Sequence, residues 1–528
     1  MGLLAATDPV EPRSAASGAS ILAQRADIVD REGRILATNL VTHSLYAQPQ
    51  SMVEPERAAT ELAEIFPDLD AERLKADFTG SRKFLWIKKK ISPEQMQAVH
   101  DIGDPGLLFG PREMRIYPNG ALASHVLGGA SFGREGVHSA EVIGTAGVEK
   151  TFDGWLRDPG NGGQPLQLSL DLGVQATIEE VLAGGMKLMN AKGAAAILMD
   201  IHSGEVVAMA SLPDFDPNTR PQPALKGDPS DSPLFNRAVQ GVYELGSTFK
   251  VFAIAQAIDL GIVNPETKIA TQSPMTWGKH RIRDFHNYGA ELSVTDIIVK
   301  SSNIGTARVA LMIGGERQKA FLGTLGLLEP TGIEMVEAPT GKPILPRTWP
   351  EITTMTVSYG HGLSASPLHL AAAYASVLNG GTKVVPTILK SPAPTPGPRV
   401  VSEQTSSIMR AMLRAVVTRG TASFAEVPGY AVGGKTGTAD KAKPGGGGYY
   451  KDKVIATFAS VFPAHDPEYV LIVSLDEPEE TSGSEPRRTA GWTAVPVGAE
   501  IIRRVAPMMG LRPEVEPPAR HGITLVRN

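Results

Sequence analysis

Hydrophobic and polar positions follow two different textures along this chain. Before residue 160 the apolar residues come in short, interrupted runs. "RADIVDREGRILATNL" (25–40) reads as a short strand, a turn at Glu32-Gly33 and a second strand. Residues 55–65 and 93–101 carry helical spacing, and Ser92-Pro93 marks the start of the second helix. Between them "KFLWIKKK" (83–90) reads as a solvated strand edge, with an anion-binding site as the lesser alternative. "GNGGQPLQ" (160–167) is the clearest linker.

After that linker the runs lengthen. "LQLSLDLGVQATIEEVLAGGMKLMNAKG" predicts a strand and then an amphipathic helix from about Gly173 to Met189. "GAAAILMDIHSGEVVAMASLP" (193–213) predicts a hairpin turning at His202-Ser203-Gly204. Residues 247–380 are mostly helical by period, and Gly380-Gly381 stop the last of these helices. Strand-like runs return at 431–438, 454–464 and 469–477, with "DKAKPGGGGYYKD" (440–452) as a flexible loop between the first two. A final amphipathic helix runs from about Val497 to Met508. Strands, a long helical insert, more strands and a closing helix predict an α+β fold. Its sheet is mostly antiparallel, with strands split in sequence. The expected divisions are a flexible lead-in over 1–24, one domain over 25–160, a second over 165–508 and a loose tail over 509–528.

Composition narrows the function classes. The chain has 528 residues, 42% hydrophobic and 20% charged, which is ample for more than one core. A net charge of −5 carries no basic footprint, so nucleic acid is not an expected partner. There are no cysteines, which excludes disulfides, thiolate metal sites and thiol catalysis. The eleven histidines show no metal-like spacing. No window approaches the ~20 apolar residues that span a bilayer. The first residues also lack the basic and apolar regions of an export signal.

The candidate chemistry begins at "YELGSTFK" (243–250). Ser247 and Lys250 stand three apart at the head of a helix with no polar face, which places their Cβ atoms roughly 5–6 Å from each other. A lysine entering a buried site loses its charge readily, and a neutral amine is a base. A serine at a helix head also lies where backbone N–H groups stabilise negative charge. Taken alone, the same residues fit a capping serine followed by a lysine that snorkels to solvent. "KSSNIG" (300–305) sets Ser301 and Asn303 in a turn between two helices, although a serine there also fits a plain helix cap. "GGKTGTA" (433–439) sets Lys435, Thr436 and Thr438 on a strand broken by Gly437, where a glycine marks close approach by a backbone or a ligand. In this order the three segments match the S-x-x-K, S-x-N and K-T-G trio of penicillin-binding proteins and class A β-lactamases.

On these motifs the chain resembles the class B penicillin-binding proteins, and within them the division-specific FtsI type. The likeness covers roughly 25–508. "RADIVDREGRILA" is similar to the family's first pedestal motif, with Ala26 in place of a glycine. "RIYPNGALASHVLGG" (115–129) and "GTAGVEKTFDGWL" (144–156) are similar to the other two. The resemblance implies a pedestal domain followed by a transpeptidase domain that cross-links peptidoglycan stem pentapeptides. In it Ser247 is the nucleophile and Lys250 the proton acceptor. Ser301, Asn303 and Lys435 complete the network, and Lys435 lowers the pKa of Lys250. Thr436, Gly437 and Thr438 hold the substrate, and the backbone N–H groups of Ser247 and Thr438 form the oxyanion hole. It also implies inhibition by β-lactams, no metal or organic cofactor, and partners among divisome membrane proteins, including an FtsW-type glycosyltransferase.

Leu245 stands where many relatives carry proline, a departure expected to touch the turn and not the chemistry. Placement on the periplasmic face of the inner membrane is implied by the family alone, since no anchor is visible; a trimmed sequence or a late start site is the expected reason. The rivals are an elongation-type class B enzyme, a D,D-carboxypeptidase or β-lactamase on the same fold, and a non-catalytic β-lactam sensor or divisome scaffold. No E-x-x-L-N segment follows Asn303 to supply the deacylating glutamate of a class A β-lactamase.

Overall fold

The structure is a computed structural model that describes residues 25–135, 140–223, 226–391, 396–443 and 447–515. The lead-in over 1–24 and the tail from 516 onward lie outside the described residues. Five strands form the central sheet, in the order Gly433–Ala442, Tyr449–Phe462, Tyr469–Asp476, Gly193–Asp200, Val206–Leu212. Every neighbouring pair is antiparallel. The hairpin at 193–213 and the three late strands are therefore one sheet divided in sequence, as the hydrophobic pattern predicts.

The inner strands are buried almost without interruption, so helices must cover both faces of the sheet. Leu172–Leu188 and Ala494–Met508 pack against each other and against the sheet. Pro367–Leu378 packs against the same strands, and all twelve of its residues are buried. Ser366 caps that helix, and the Tyr374 hydroxyl donates to the Thr248 carbonyl at 2.9 Å. This wholly buried helix thus grips the segment that carries Ser247.

The strand Gly433–Ala442 is the free edge of the sheet. It runs on through Asp440, and the next strand begins at Tyr449, so much of the expected loop over 440–452 is a continuing hairpin. The reason is pairing: Asp440 lies opposite Val454, and Lys441 is held by Asp476 at 2.6 Å and Glu477 at 2.8 Å. A glycine-rich composition marks the tip of this ribbon but hides its stem.

In the N-terminal part, Ile35–Ala47 pairs with Ile28–Val29, Leu85–Ile91 and Leu107–Ile116, all antiparallel. Leu85–Ile91 is the strand edge expected for "KFLWIKKK". The helices Pro55–Ile65 and Pro93–Ile102 match expectation, the second with a capping box between Ser92 and Gln95. Ala71–Thr79 and Leu107–Ile116 had no clear signal of their own. The linker ends in order, with Leu166–Gln167 pairing in parallel to Ile28–Val29.

The three N-terminal motifs converge on one carboxylate. Glu149, fully buried, accepts from Arg25 Nε at 2.8 Å, Arg115 Nε at 2.6 Å and the Tyr117 hydroxyl at 3.2 Å. Arg25 adds Asp153 at 2.7 Å. Two cations and an acid pair fully within the core here, the condition under which burying charge is tolerable.

Candidate active site

Ser247 lies in a 3-10 turn, Gly246–Phe249, and the α-helix starts one residue before the apolar run, at Lys250. The expected helix head at Ser247 is therefore this tighter turn. Two glycines allow the turn to sit where it does. Gly246 has φ +56, and a Cβ there would stand 2.8 Å from the Thr438 carbonyl oxygen. A Cβ on Gly437 would overlap the Leu245 carbonyl oxygen and crowd Thr248. The glycine in the K-T-G strand thus marks close approach by a backbone, that of the Ser247 turn. Leu245, at φ −92, enters this turn without a proline; its side chain is buried and its carbonyl accepts the Thr248 hydroxyl at 2.9 Å.

Beneath the turn, Lys250 donates to the Ser301 carbonyl at 2.5 Å and to Ser301 Oγ at 3.1 Å. Lys435 donates to the same Oγ at 3.0 Å and to the Thr436 carbonyl at 3.0 Å. Both lysines are fully buried. Burial, and then the Lys435 charge, push the Lys250 amine well below the ordinary lysine range, with Asp284 acting partly against them. Burial alone brings Lys435 down to about 7. Among the described residues the half-buried Ser247 hydroxyl makes no hydrogen bond of its own.

Ser301 separates the helices Val294–Lys300 and Asn303–Ile313, in a left-handed conformation with φ 61. Such a backbone costs energy in a residue with a side chain and persists where its surroundings impose it. The cap of the second helix is Ser302, whose Oγ accepts from the Gly305 N–H at 2.9 Å. The capping role open to Ser301 thus falls to its neighbour, and Ser301 faces the lysines.

Asp284 holds this loop and had no signal in the sequence. It accepts from the Asn303 N–H at 2.6 Å, the Ile304 N–H at 3.0 Å and the Ser302 hydroxyl at 2.7 Å. A carboxylate at the start of a helix also meets the positive end of its dipole. Asn303 Nδ2 donates to the Arg283 carbonyl at 3.0 Å.

These groups line a cleft of about 660 Å³ that includes Ser247, Ser301, Asn303, Thr436 and Thr438. Lys250 and Lys435 do not line it but bond to Ser301, which does. The structure therefore gathers every residue singled out in the three motifs around one place. At one end Glu244 accepts from His361 Nδ1, the Gly362 N–H and the Tyr449 hydroxyl, each at 2.8 Å. That pairing raises the His361 pKa and lowers that of Glu244 despite burial. At the other end Thr421 and Thr436 share a hydrogen bond of 2.7 Å, and the Ala490 N–H donates to Thr438 Oγ1 at 3.0 Å. A serine, a depressed amine and a second depressed amine on a shared hydroxyl can together move a proton during acyl transfer.

Comparison with known proteins agrees with this geometry. Residues 194–501 match the penicillin binding protein transpeptidase domain, and residues 20–166 the penicillin-binding protein dimerisation domain. The probable peptidoglycan D,D-transpeptidase FtsI of Caulobacter vibrioides is 36% identical over 503 residues, covering 93% of this chain and 82% of that one. The Escherichia coli K12 peptidoglycan D,D-transpeptidase FtsI is 28% identical over 521 residues, covering 93% and 84%. A crystal structure of penicillin binding protein 3 from Mycobacterium tuberculosis, complexed with aztreonam, aligns with a TM-score of 0.69 at 26% identity, over 94% of this chain and 98% of that one.

Proposed function

The chain belongs to the class B penicillin-binding proteins, and from that premise we propose that it is a septal peptidoglycan D,D-transpeptidase working through a Ser247 acyl-enzyme. One observation carries the proposal: two buried amines, one of them Lys250 a single turn after Ser247, share the Ser301 hydroxyl. Ser247 Oγ attacks the carbonyl of the penultimate D-Ala of a stem pentapeptide. Lys250, neutral because it is buried beside Lys435, takes the hydroxyl proton. The oxyanion rests on the backbone N–H groups of Ser247 and Thr438. The lysine pair and Ser301 return a proton to the departing D-Ala nitrogen, and Asn303 helps to orient the peptide. Thr436, Gly437 and Thr438 lie on the free edge strand, where an extended substrate adds as a further strand, its carboxylate held by the two threonines. A side-chain amine of a neighbouring stem then takes the acyl group. β-Lactams imitate D-Ala-D-Ala and stop at the Ser247 ester.

The reaction requires no metal or organic cofactor. Among the described residues no helix is long and apolar enough to cross a membrane. Placement on the periplasmic face of the inner membrane, beside an FtsW-type glycosyltransferase and other divisome proteins, is proposed from the family. So are the divisions at 25–160 and 165–508.

Incubation with a fluorescent penicillin tests the chemistry. A stable adduct is expected, and Ser247→Ala should remove it entirely. Rapid hydrolysis of the adduct would point to a β-lactamase or carboxypeptidase. A folded chain that takes no label would leave only a sensor or scaffold. Depletion in cells should give filaments; rounded cells would assign the enzyme to elongation.

A further inference from the structure

The proposed reaction uses one end of the cleft twice. The amide that is broken and the amide that is made share the same acyl carbonyl on Ser247. By microscopic reversibility the nitrogen that attacks enters along the path by which the D-Ala nitrogen leaves. The leaving D-Ala carries the carboxylate assigned above to Thr436 and Thr438. The incoming amine must therefore reach Ser247 past those two threonines.

The structure shows what stands there. Thr436 is hydrogen-bonded to Thr421, three residues before Phe424. Thr438 is hydrogen-bonded to the Ala490 N–H, two residues before Trp492. The two segments bring Phe424 and Trp492 together, with ring centroids 5.1 Å apart and planes inclined at 58°. Both rings line the Ser247 cleft, yet they are 52% and 41% exposed. Arg487 covers one face of Trp492 at 4.0 Å and is itself held by Glu480 at 2.7 Å, which fixes the indole in place. Large aromatic rings left open beside a reacting centre, on rigid supports, are binding surfaces and not core. Nothing in the acyl-donor half of the reaction calls on them.

We propose that Phe424 and Trp492 form the platform for the acyl acceptor, the amine-bearing residue of the second stem peptide. The inference rests on the transpeptidase reading. An aliphatic side chain ending in an amine suits such a platform. Its methylenes cover the rings, and its nitrogen, while still an ammonium, is attracted to an aromatic face on the way in. At Ser247 the amine reacts in its neutral form. Its nitrogen bonds to the acyl carbon, the ester C–O bond breaks, and one amine proton passes to the Ser247 oxygen. The rings are specificity-determining groups, since they touch the acceptor but no reacting bond.

The test is how one acyl-enzyme divides between two fates. A thioester analogue of the donor peptide is supplied to the full chain with a fixed concentration of an amine acceptor, D-lysine or a diamino acid. The ratio of aminolysis to hydrolysis is then read. That ratio does not depend on how much enzyme is folded or how fast the acyl-enzyme forms. In the Phe424→Ala/Trp492→Ala double variant it should fall about tenfold. Trp492→Phe should keep most of it. An acyl-enzyme that divides identically in wild type and double variant overturns the platform and leaves the transpeptidase reading standing. A wild-type chain that forms no acyl-enzyme overturns that reading, and the platform with it.

Discussion

In the pedestal, Arg25 and Arg115 reach a single buried carboxylate, Glu149. In the catalytic half, Lys250 and Lys435 reach a single hydroxyl, Ser301. All four cationic side chains are buried. The arginines keep their charge because an acid of opposite sign lies at 2.6–2.8 Å and the guanidinium cannot give up its proton. The lysines have no acid at bonding distance among the described residues, so burial pushes both amines below the ordinary lysine range. Paired burial fixes a joint between three motifs. Unpaired burial lowers the pKa of an amine. Arginine and lysine are used here for opposite purposes.

Removing the acid from the paired cluster should have the largest effect. Glu149→Gln leaves Arg115 buried without a counter-charge and Arg25 with Asp153 alone, and should cost about 3–5 kcal/mol of stability. Thermal unfolding would read the loss. The penicillin acylation rate per folded molecule should hardly change, because Glu149 takes no part in the cleft. A variant as stable as wild type would show that the pedestal charges are solvated after all.

Among the described residues Asp284 is the acid whose charge acts on Lys250. Asp284→Asn removes the anionic anchor of Ser302, Asn303 and Ile304, and acylation should slow roughly ten- to hundredfold through misplacement of the loop. The pH profile separates the two roles of this carboxylate. Its charge raises the Lys250 pKa, so without it the neutral amine forms at lower pH and the acid limb of the acylation profile should move down. Mere loosening would lower the rate and leave the limb in place.

A third effect concerns stability against pH. Burial holds folded Lys435 at about 7, whereas in the unfolded chain it returns to the ordinary 10.5. Between those values the unfolded state binds more protons, so this residue makes the wild type more stable as pH rises from about 7 toward 10.5. Lys435→Met should flatten that rise and stabilise the protein most at the acid side of the window. Denaturant melts at several pH values would measure the difference, and parallel curves for the two proteins would sink the account.

Where the sequence succeeds and fails follows from distance along the chain. Ser247 and Lys250, Ser301 and Asn303, and the run from Lys435 to Thr438 are each local, so their spacing alone indicates a shared face or turn. The central sheet was legible because Gly193–Asp200, Val206–Leu212 and Tyr469–Asp476 are mostly apolar. Asp284 was not, because its partners lie 18 to 20 residues on and no period links them. The meeting of Arg25 with Glu149, 124 residues apart, can be drawn only by the fold. The same holds for Phe424 with Trp492, which look like ordinary loop aromatics until two threonines bring them together. The stem of the hairpin over 440–452 was missed because glycine and lysine content outweighed the strand pairing supplied by Val454 and its neighbours.

The close fit of Gly246 and Gly437 has a consequence best put as machining tolerance. Side chains hop between rotamers, and a nucleophile positioned by them inherits that play. Here the clearance between the Ser247 turn and the lysine strand is set by two missing methyl groups and main chain against main chain. The seat of the Ser247 oxygen is therefore as stiff as the sheet edge it rests on, and no repacking of neighbouring side chains can shim it.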